Sequence, residues 1–314
     1  ITVSAVDDAI RGKDYLVVKD GNLVIDAQGD GLKSDNEEDA EKGYVQIQAG
    51  SFQITAAGDA IQAQTDLIIA AGQFTLVTGG GSSGSLAADV SAKGLKASGN
   101  ISIQGGAFTI DAADDGMHAS GSLIVDGGTF DITTGDDGLY ADATLTINNG
   151  EVRIAKSYEG MESAVITIND GSVSVVASDD GINVAGGNDS SGFGPGSAPG
   201  QDAFNDSGTN YLYIHGGNIT VDANGDGLDI NGAIEMSGGV VQVNGPTEQM
   251  NAPLDYDGTF VLTGGWIAAA GSSGMAQAPG QTSSQPALMV FFTATQPAGS
   301  LVHIQDSAGK DILT

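Results

Sequence analysis

Apolar and polar residues alternate one by one along much of the chain, in short runs such as Phe52-Gln53-Ile54, Phe74-Thr75-Leu76, Phe108-Thr109-Ile110 and Phe130-Asp131-Ile132. A period of two predicts strands with one face buried and the other in solvent, and no helical period replaces it anywhere. The runs belong to a phrase used about ten times: an acidic or small pair, Gly or Ala, a large aliphatic residue, a strand, a Gly and another strand. Asp114-Asp115-Gly116-Met117, Asp136-Asp137-Gly138-Leu139 and Asp179-Asp180-Gly181-Ile182 open the clearest copies, and Asp30-Gly31-Leu32, Asp59-Ala60-Ile61 and Asp226-Gly227-Leu228 open shorter ones. Turn glycines follow at 21, 50, 72, 106, 128, 150, 171, 217, 239 and 265, so the base period is 22 residues, with four coils lengthened by insertions.

A fixed period of this size marks stacked units, none of which buries its apolar face alone. Three short strands per period predict an all-β fold, a parallel β-helix of about ten coils with internal ladders of Phe/Val/Ile and Leu/Met/Ile. The crossover preference makes it right-handed, and at ~4.8 Å per coil the rod is on the order of 48 Å long. The solenoid is expected over residues 1–286, with insertions at 34–42, 79–92, 185–209 and 271–286. Residues 287–314 leave the repeat, and Leu288–Phe292 with Leu301–Ile304 read as a β-hairpin capping the open C-terminal end. The segment Ile1–Ala5 reads as the second strand of a coil whose first half is missing, which predicts a piece of a longer polypeptide.

Composition narrows the partners. Forty acids against ten bases give a net charge of -30, which disfavours nucleic acid and anionic membrane and favours cations. The chain has no Cys, so no disulfides, and no apolar run reaches the ~18 residues of a membrane span.

In a solenoid the acids fall into columns. Asp8, Asp30, Asp59, Asp115, Asp137, Glu159, Asp180 and Asp226 share one, and Asp7, Asp114, Asp136 and Asp179 share the one before it. Carboxylates stacked ~4.8 Å apart repel by roughly 3 kcal/mol per pair at an effective dielectric near 20, so something must offset them. Ca2+ suits all-oxygen sites of loose geometry. The expected ligands are Asp114/Asp115 with Asp136/Asp137, the latter pair with Glu159, and Asp179/Asp180 with Asp226, completed by Asp142, Glu162, Asp229, Asn183 and Asn231. The competing explanation is turn chemistry, in which each Asp accepts backbone N–H groups.

The column beyond the aliphatic residue, including Lys96, His118, Tyr140, Glu162, Asn183 and Asp229, is expected to point outward as a straight strip suited to a linear polymer. Tyr140 with Tyr158 offers rings for stacking on sugar faces, against the alternative of ordinary rings covering a coil edge. Trp266, the only Trp, serves either as a stacking platform or as packing under a loop or cap beside Val240. His215 and His303 read as local polar contacts.

The stretches Asp7-Asp8-Ala9-Ile10, Gly29-Asp30-Gly31-Leu32-Lys33-Ser34-Asp35-Asn36 and Gly225-Asp226-Gly227-Leu228-Asp229-Ile230-Asn231-Gly232, with the insertion Gly187-Asn188-Asp189-Ser190-Ser191-Gly192-Phe193-Gly194, resemble bacterial, largely clostridial, carbohydrate-binding β-helix proteins. The chain is also similar to β-helical xylan-binding modules appended to gut bacterial glycoside hydrolases. The resemblance implies a polysaccharide-lyase-like right-handed β-helix holding Ca2+. It implies a secreted or cell-surface, extracellular bacterial module, monomeric and non-catalytic. Its partner would be plant cell-wall polysaccharide such as xylan, cellulose or pectic polymer, and a catalytic domain would lie upstream. Glycan contact then falls to Lys96, His118, Tyr140, Tyr158, Glu162 and Trp266. Metal binding falls to Asp114, Asp115, Asp136, Asp137, Glu159, Asp179, Asp180, Asp226 and Asp229. The rival is an enzyme on the same scaffold: a Ca2+-dependent lyase using Lys96 or Lys93 as base, or a hydrolase using a carboxylate pair.

Overall fold

The computed structural model describes residues 1–87, 89–185, 209–297 and 299–313. Most of the insertion at 185–209, with Phe193 and Phe204, lies outside them. Among the described residues there is no helix, and in-register parallel pairing joins the strands of successive coils into a parallel β-helix.

Each coil contributes three strands. A first strand of about six residues, such as Ser51–Ala56, Gln73–Thr78 or Ala107–Ala112, follows the turn glycine. A second, short strand follows the acidic turn, as in Ile61–Ala63, Leu95–Ala97 and Met117–Ala119. A third, such as Leu67–Ile69, Ile101–Ile103 or Ser122–Val125, returns to the next glycine. The second-strand ladder runs Ile10, Leu32, Ile61, Leu95, Met117, Leu139, Met161, Ile182, Leu228, Leu254, ten rungs in strict register. Thr2–Ala5 pairs in parallel with Asn22–Ala27, the strand that follows turn glycine Gly21.

The interior is a set of ladders of like residues. Phe52, Phe74, Phe108 and Phe130 stack with ring centroids 4.7, 4.4 and 4.7 Å apart and planes within 8° of parallel. This spacing is the coil rise itself, so the backbone repeat sets the stacking distance and the rings fill the space between sheets. The ten turn glycines all have positive φ, from 82° at Gly217 to 145° at Gly72. A Cβ at Gly128 would also lie 2.8 Å from the Gly106 carbonyl, so both conformation and stacking require glycine in this column.

The C-terminal end differs from expectation. A hairpin is present, but it is short and pairs Ile304–Gln305 with Asp311–Leu313. Leu288–Phe292 forms no strand and its side chains are exposed. The open edge of the last coil is bonded instead by the segment read as an insertion: Gly280 N donates to Phe260 O, Ser284 N to Leu262 O, Leu262 N to Ser283 Oγ, and Tyr256 Oη to Ala278 O. Short Ser, Gln and Gly residues serve this role because the edge presents unpaired backbone groups rather than an apolar face.

Candidate functional site

The acidic turns build one continuous ladder with a regular division of labour. In each of the first coils one carboxylate oxygen accepts the backbone N–H of the same turn one coil on. Asp8 Oδ1 takes Asp30 N at 2.9 Å, Asp30 Oδ1 takes Asp59 N at 2.7 Å, and Asp59 Oδ1 takes Lys93 N at 2.8 Å. The other oxygen meets a cation: Lys33 Nζ lies 3.4 Å from Asp8 Oδ2 and 2.6 Å from Asp30 Oδ2, and Lys96 Nζ lies 3.3 Å from Asp59 Oδ2. Turn chemistry therefore operates in these coils, and lysines, rather than the Ca2+ expected from the sequence, meet the second oxygen of the same side chains.

Lys93 escaped the sequence reading of this column. It occupies the acid's own slot, since Lys93-Gly94-Leu95 stacks between Asp59-Ala60-Ile61 and Asp115-Gly116-Met117. Its Nζ bonds Asp114 Oδ1 at 2.7 Å and Asp115 Oδ2 at 2.5 Å. His118 Nδ1 adds a second contact to Asp115 Oδ2 at 2.8 Å. Burial pushes the Asp115 carboxyl up, but Lys93 and His118 outweigh it and hold it at about 2. The Lys93 ammonium loses hydration, yet Asp115 and Asp114 keep its pKa well above the ordinary lysine value. The exchange of one acid for a base was visible in the sequence as Ala-Lys-Gly-Leu standing where Asp-Asp-Gly-Met stands one coil on.

From Asp137 onward the character changes. The column that supplied Lys33, Lys96 and His118 now supplies Tyr140, Glu162, Asn183 and Asp229. Asp137, Glu159 and Glu162 are all buried and each offers an oxygen within 4.8 Å of the others'. Asp114, Asp115 and Asp136 form a second such group, but Lys93 already bonds two of its members. Burial, then the charges of Asp115, Glu159, Asp136 and Glu162, push the Asp137 carboxyl well up. Burial, then Asp229, Glu159, Asp179 and Asp226, do the same to Asp180. Asn183 Nδ2 donates to Glu159 Oε2 at 2.9 Å, Asp180 Oδ1 accepts Asp226 N at 2.5 Å, and Asp229 is 4% exposed. An all-oxygen, buried donor set of this kind fits a hard divalent cation rather than a transition metal.

The first part of the predicted polymer strip, Lys33, Lys96 and His118, is thus the counter-ion column of the ladder. Glu162, expected to point outward, is 4% exposed and faces the acids. Lys96 leans onto Asp59 and Ser91. His118 and Tyr140 stack on each other at 4.4 Å, both half-buried. The phenols of Tyr140 and Tyr158 are pushed upward by burial, then by Glu162 and Asp142 for the first and by Asp179 for the second. Trp266 is half-buried in register with Val240, which is itself 45% exposed, so the expected cover over this pair is missing among the described residues. His215 and His303 make the local contacts expected, with Ser237 Oγ and with Asp311.

Fold and ladder together define an acidic parallel β-helix whose stacked turns pair carboxylates with internal lysines at one end and with one another further on. Residues 1–138 match the model of a family described as carbohydrate-binding domain-containing protein. No curated protein and no solved structure matches the chain. The family match supports a carbohydrate-binding role, and it spans the coils whose acids are neutralised by Lys33, Lys96 and Lys93. Among the described residues no helix is long and apolar enough to cross a membrane.

Proposed function

We propose that this protein is a non-catalytic, extracellular module that binds plant cell-wall polysaccharide along a face of its solenoid, with Ca2+ held by Asp137, Glu159 and Glu162. The match of residues 1–138 to a carbohydrate-binding family carries the first part of this reading. The mutual proximity of three buried carboxylates supports the second. Bound there, the cation would supply the charge that Lys33, Lys96 and Lys93 supply in the earlier coils, so its role is structural. Asp179, Asp180, Asp226 and Asp229 are a further place where acids meet.

A lyase is disfavoured by the state of its candidate base. A lysine must be neutral to take a proton from substrate, and Lys93 is locked by two carboxylates that keep it charged. Lys96 is engaged with Asp59 and Ser91. The half-buried pair His118 and Tyr140, together with Tyr158 and Trp266, are the candidate glycan contacts on the ladder side and at the C-terminal end.

The test is incubation with insoluble xylan, cellulose, mannan and pectate, each with Ca2+ and with EDTA, following both bound protein and released sugar. Retention without product is the expected outcome. Release of unsaturated or reducing ends would replace this reading with an enzyme.

A further inference from the structure

The third-strand face, away from the acid ladder, carries a row of rings that the ladder does not explain. In Tyr211–Ile214, Leu212 and Ile214 are buried while Tyr211 and Tyr213 project outward. The rings of Tyr211 and Tyr213 have centroids 5.3 Å apart and planes within 8°, and His215 continues the row at 6.1 Å and 20°. Beside it runs a line of side-chain amides. Asn148 Nδ2 donates to Asp126 Oδ1 at 2.6 Å and Asn169 Nδ2 to Asn148 Oδ1 at 2.7 Å, and the coil after Asn169 places His215 in the same line. Each amide uses part of its donor and acceptor capacity inside this line, leaving the rest for a ligand.

The same face carries a second ring pair near its other end. Tyr15 and Tyr44 stack in register at 5.6 Å and 14°, and Tyr15 is 57% exposed. Tyr44 and Tyr211 lie in one column, six coils or ~29 Å apart. Between them the column runs Asp66, Asn100, Ser122, Thr144 and then the apolar Val165 beside Tyr211, with Thr144 Oγ1 donating to Ser122 Oγ at 2.8 Å and Asn100 Nδ2 to Asp66 Oδ1 at 3.0 Å.

We infer that this third-strand face is a binding surface for an extended, neutral polysaccharide, with Tyr211, Tyr213 and His215 as its stacking platform. Stacked on one another, these rings turn their remaining faces and edges outward beside hydroxyl and amide groups, which match the C–H faces and hydroxyl edges of sugars. Asp66, Asp126 and Glu235, which is in register with Tyr213, line the same face and repel acidic polymers. The inference rests on the carbohydrate-binding reading above and assigns it a face that does not include Tyr140 or His118.

The experiment compares the wild-type chain with Tyr211→Ala/Tyr213→Ala and Tyr211→Phe/Tyr213→Phe on xylan, cellulose, mannan and polygalacturonate in EDTA, with melting curves for each. Wild type and the Phe variant should be retained on at least one neutral polymer, and the Ala variant should bind about tenfold more weakly at an unchanged melting temperature. Should the Ala variant lose its melting transition, Tyr211→Val/Tyr213→Thr replaces it, because Val165 and Thr167 are already in register there. Equal retention of a folded ring-less variant overturns the platform while the carbohydrate reading stands. Retention of wild type on polygalacturonate alone overturns the neutral-chain assignment. Retention on none of the four removes the carbohydrate reading and the platform with it.

Discussion

Lys93 Nζ lies 2.5 Å from Asp115 Oδ2, with both side chains largely withdrawn from solvent. A cation in an acid's slot therefore breaks the run of like charges between Asp59 and Asp115. Lys93→Met should leave half-buried Asp114 without its ion pair and buried Asp115 with His118 alone, and cost on the order of 3 kcal/mol. Added Ca2+ should recover part of that loss, since Asp114, Asp115 and Asp136 offer oxygens within 4.8 Å of one another. Urea unfolding with and without Ca2+ checks both statements, and a loss below about 0.5 kcal/mol would mean that water, not Lys93, offsets the ladder here.

The acid limb of the stability curve follows from the same pair. Asp115 is held at about 2, below the ordinary carboxylate value of 3.8, so folding favours its charged form. That contribution is present above pH 4 and is lost as pH falls from about 4 to 2, and its size is on the order of 2 kcal/mol. Asp115→Asn should flatten this limb. A variant that falls as steeply as wild type between these pH values would place the acid-labile group elsewhere.

Much of this architecture was legible because a solenoid repeats its errors as faithfully as its rules. The ten turn glycines, the Phe ladder and the column of acids each recur at a period that a single coil could not reveal. The direction of individual side chains was less accessible. Glu162 occupies the same slot as Lys96 and His118, and the slot alone says outward; only the structure shows it buried against Asp137 and Glu159, where like charge gives the sequence no reason to place it. The tyrosines of Tyr211–Ile214 were hidden differently. They follow the long insertion, which displaces their coil from the 22-residue spacing, so the column of Tyr211 with Tyr15 and Tyr44 shows only through the strand register. The edge bonded by Gly280, Ser283 and Ser284 escaped notice because edge protection needs backbone partners, for which small polar residues serve without any pattern.

The phenylalanine ladder predicts a position-dependent cost. Phe108 is stacked on both faces, by Phe74 at 4.4 Å and by Phe130 at 4.7 Å. Phe108→Ala should cost about 3–5 kcal/mol, through lost burial and a cavity that two fixed coils cannot close. Phe108→Leu should cost less, because Leu23 and Val152 already occupy the same column at the ends of the ladder. Denaturant titration orders the three proteins, and an Ala variant no worse than Leu would show that the coils relax into the gap.

Asp137 makes metal removal a question of sign as well as size. Its carboxyl is pushed up by burial and by the neighbouring acids, so without metal the folded state favours its protonated form. That stability is complete below the unfolded value near 4 and drains away as pH rises through the raised one, so the EDTA-treated protein should melt higher at pH 5 than at pH 8. Ca2+ bound to the folded state alone should reverse this loss, by about 2.7 kcal/mol at one hundred times its dissociation constant. Glu162→Gln separates metal binding from simple charge relief. Removing one of three crowded carboxylates should raise the melting temperature in EDTA while abolishing most of the gain on adding Ca2+. A variant that keeps the full Ca2+ gain would move the ion out of this cluster, towards Asp180, Asp226 and Asp229.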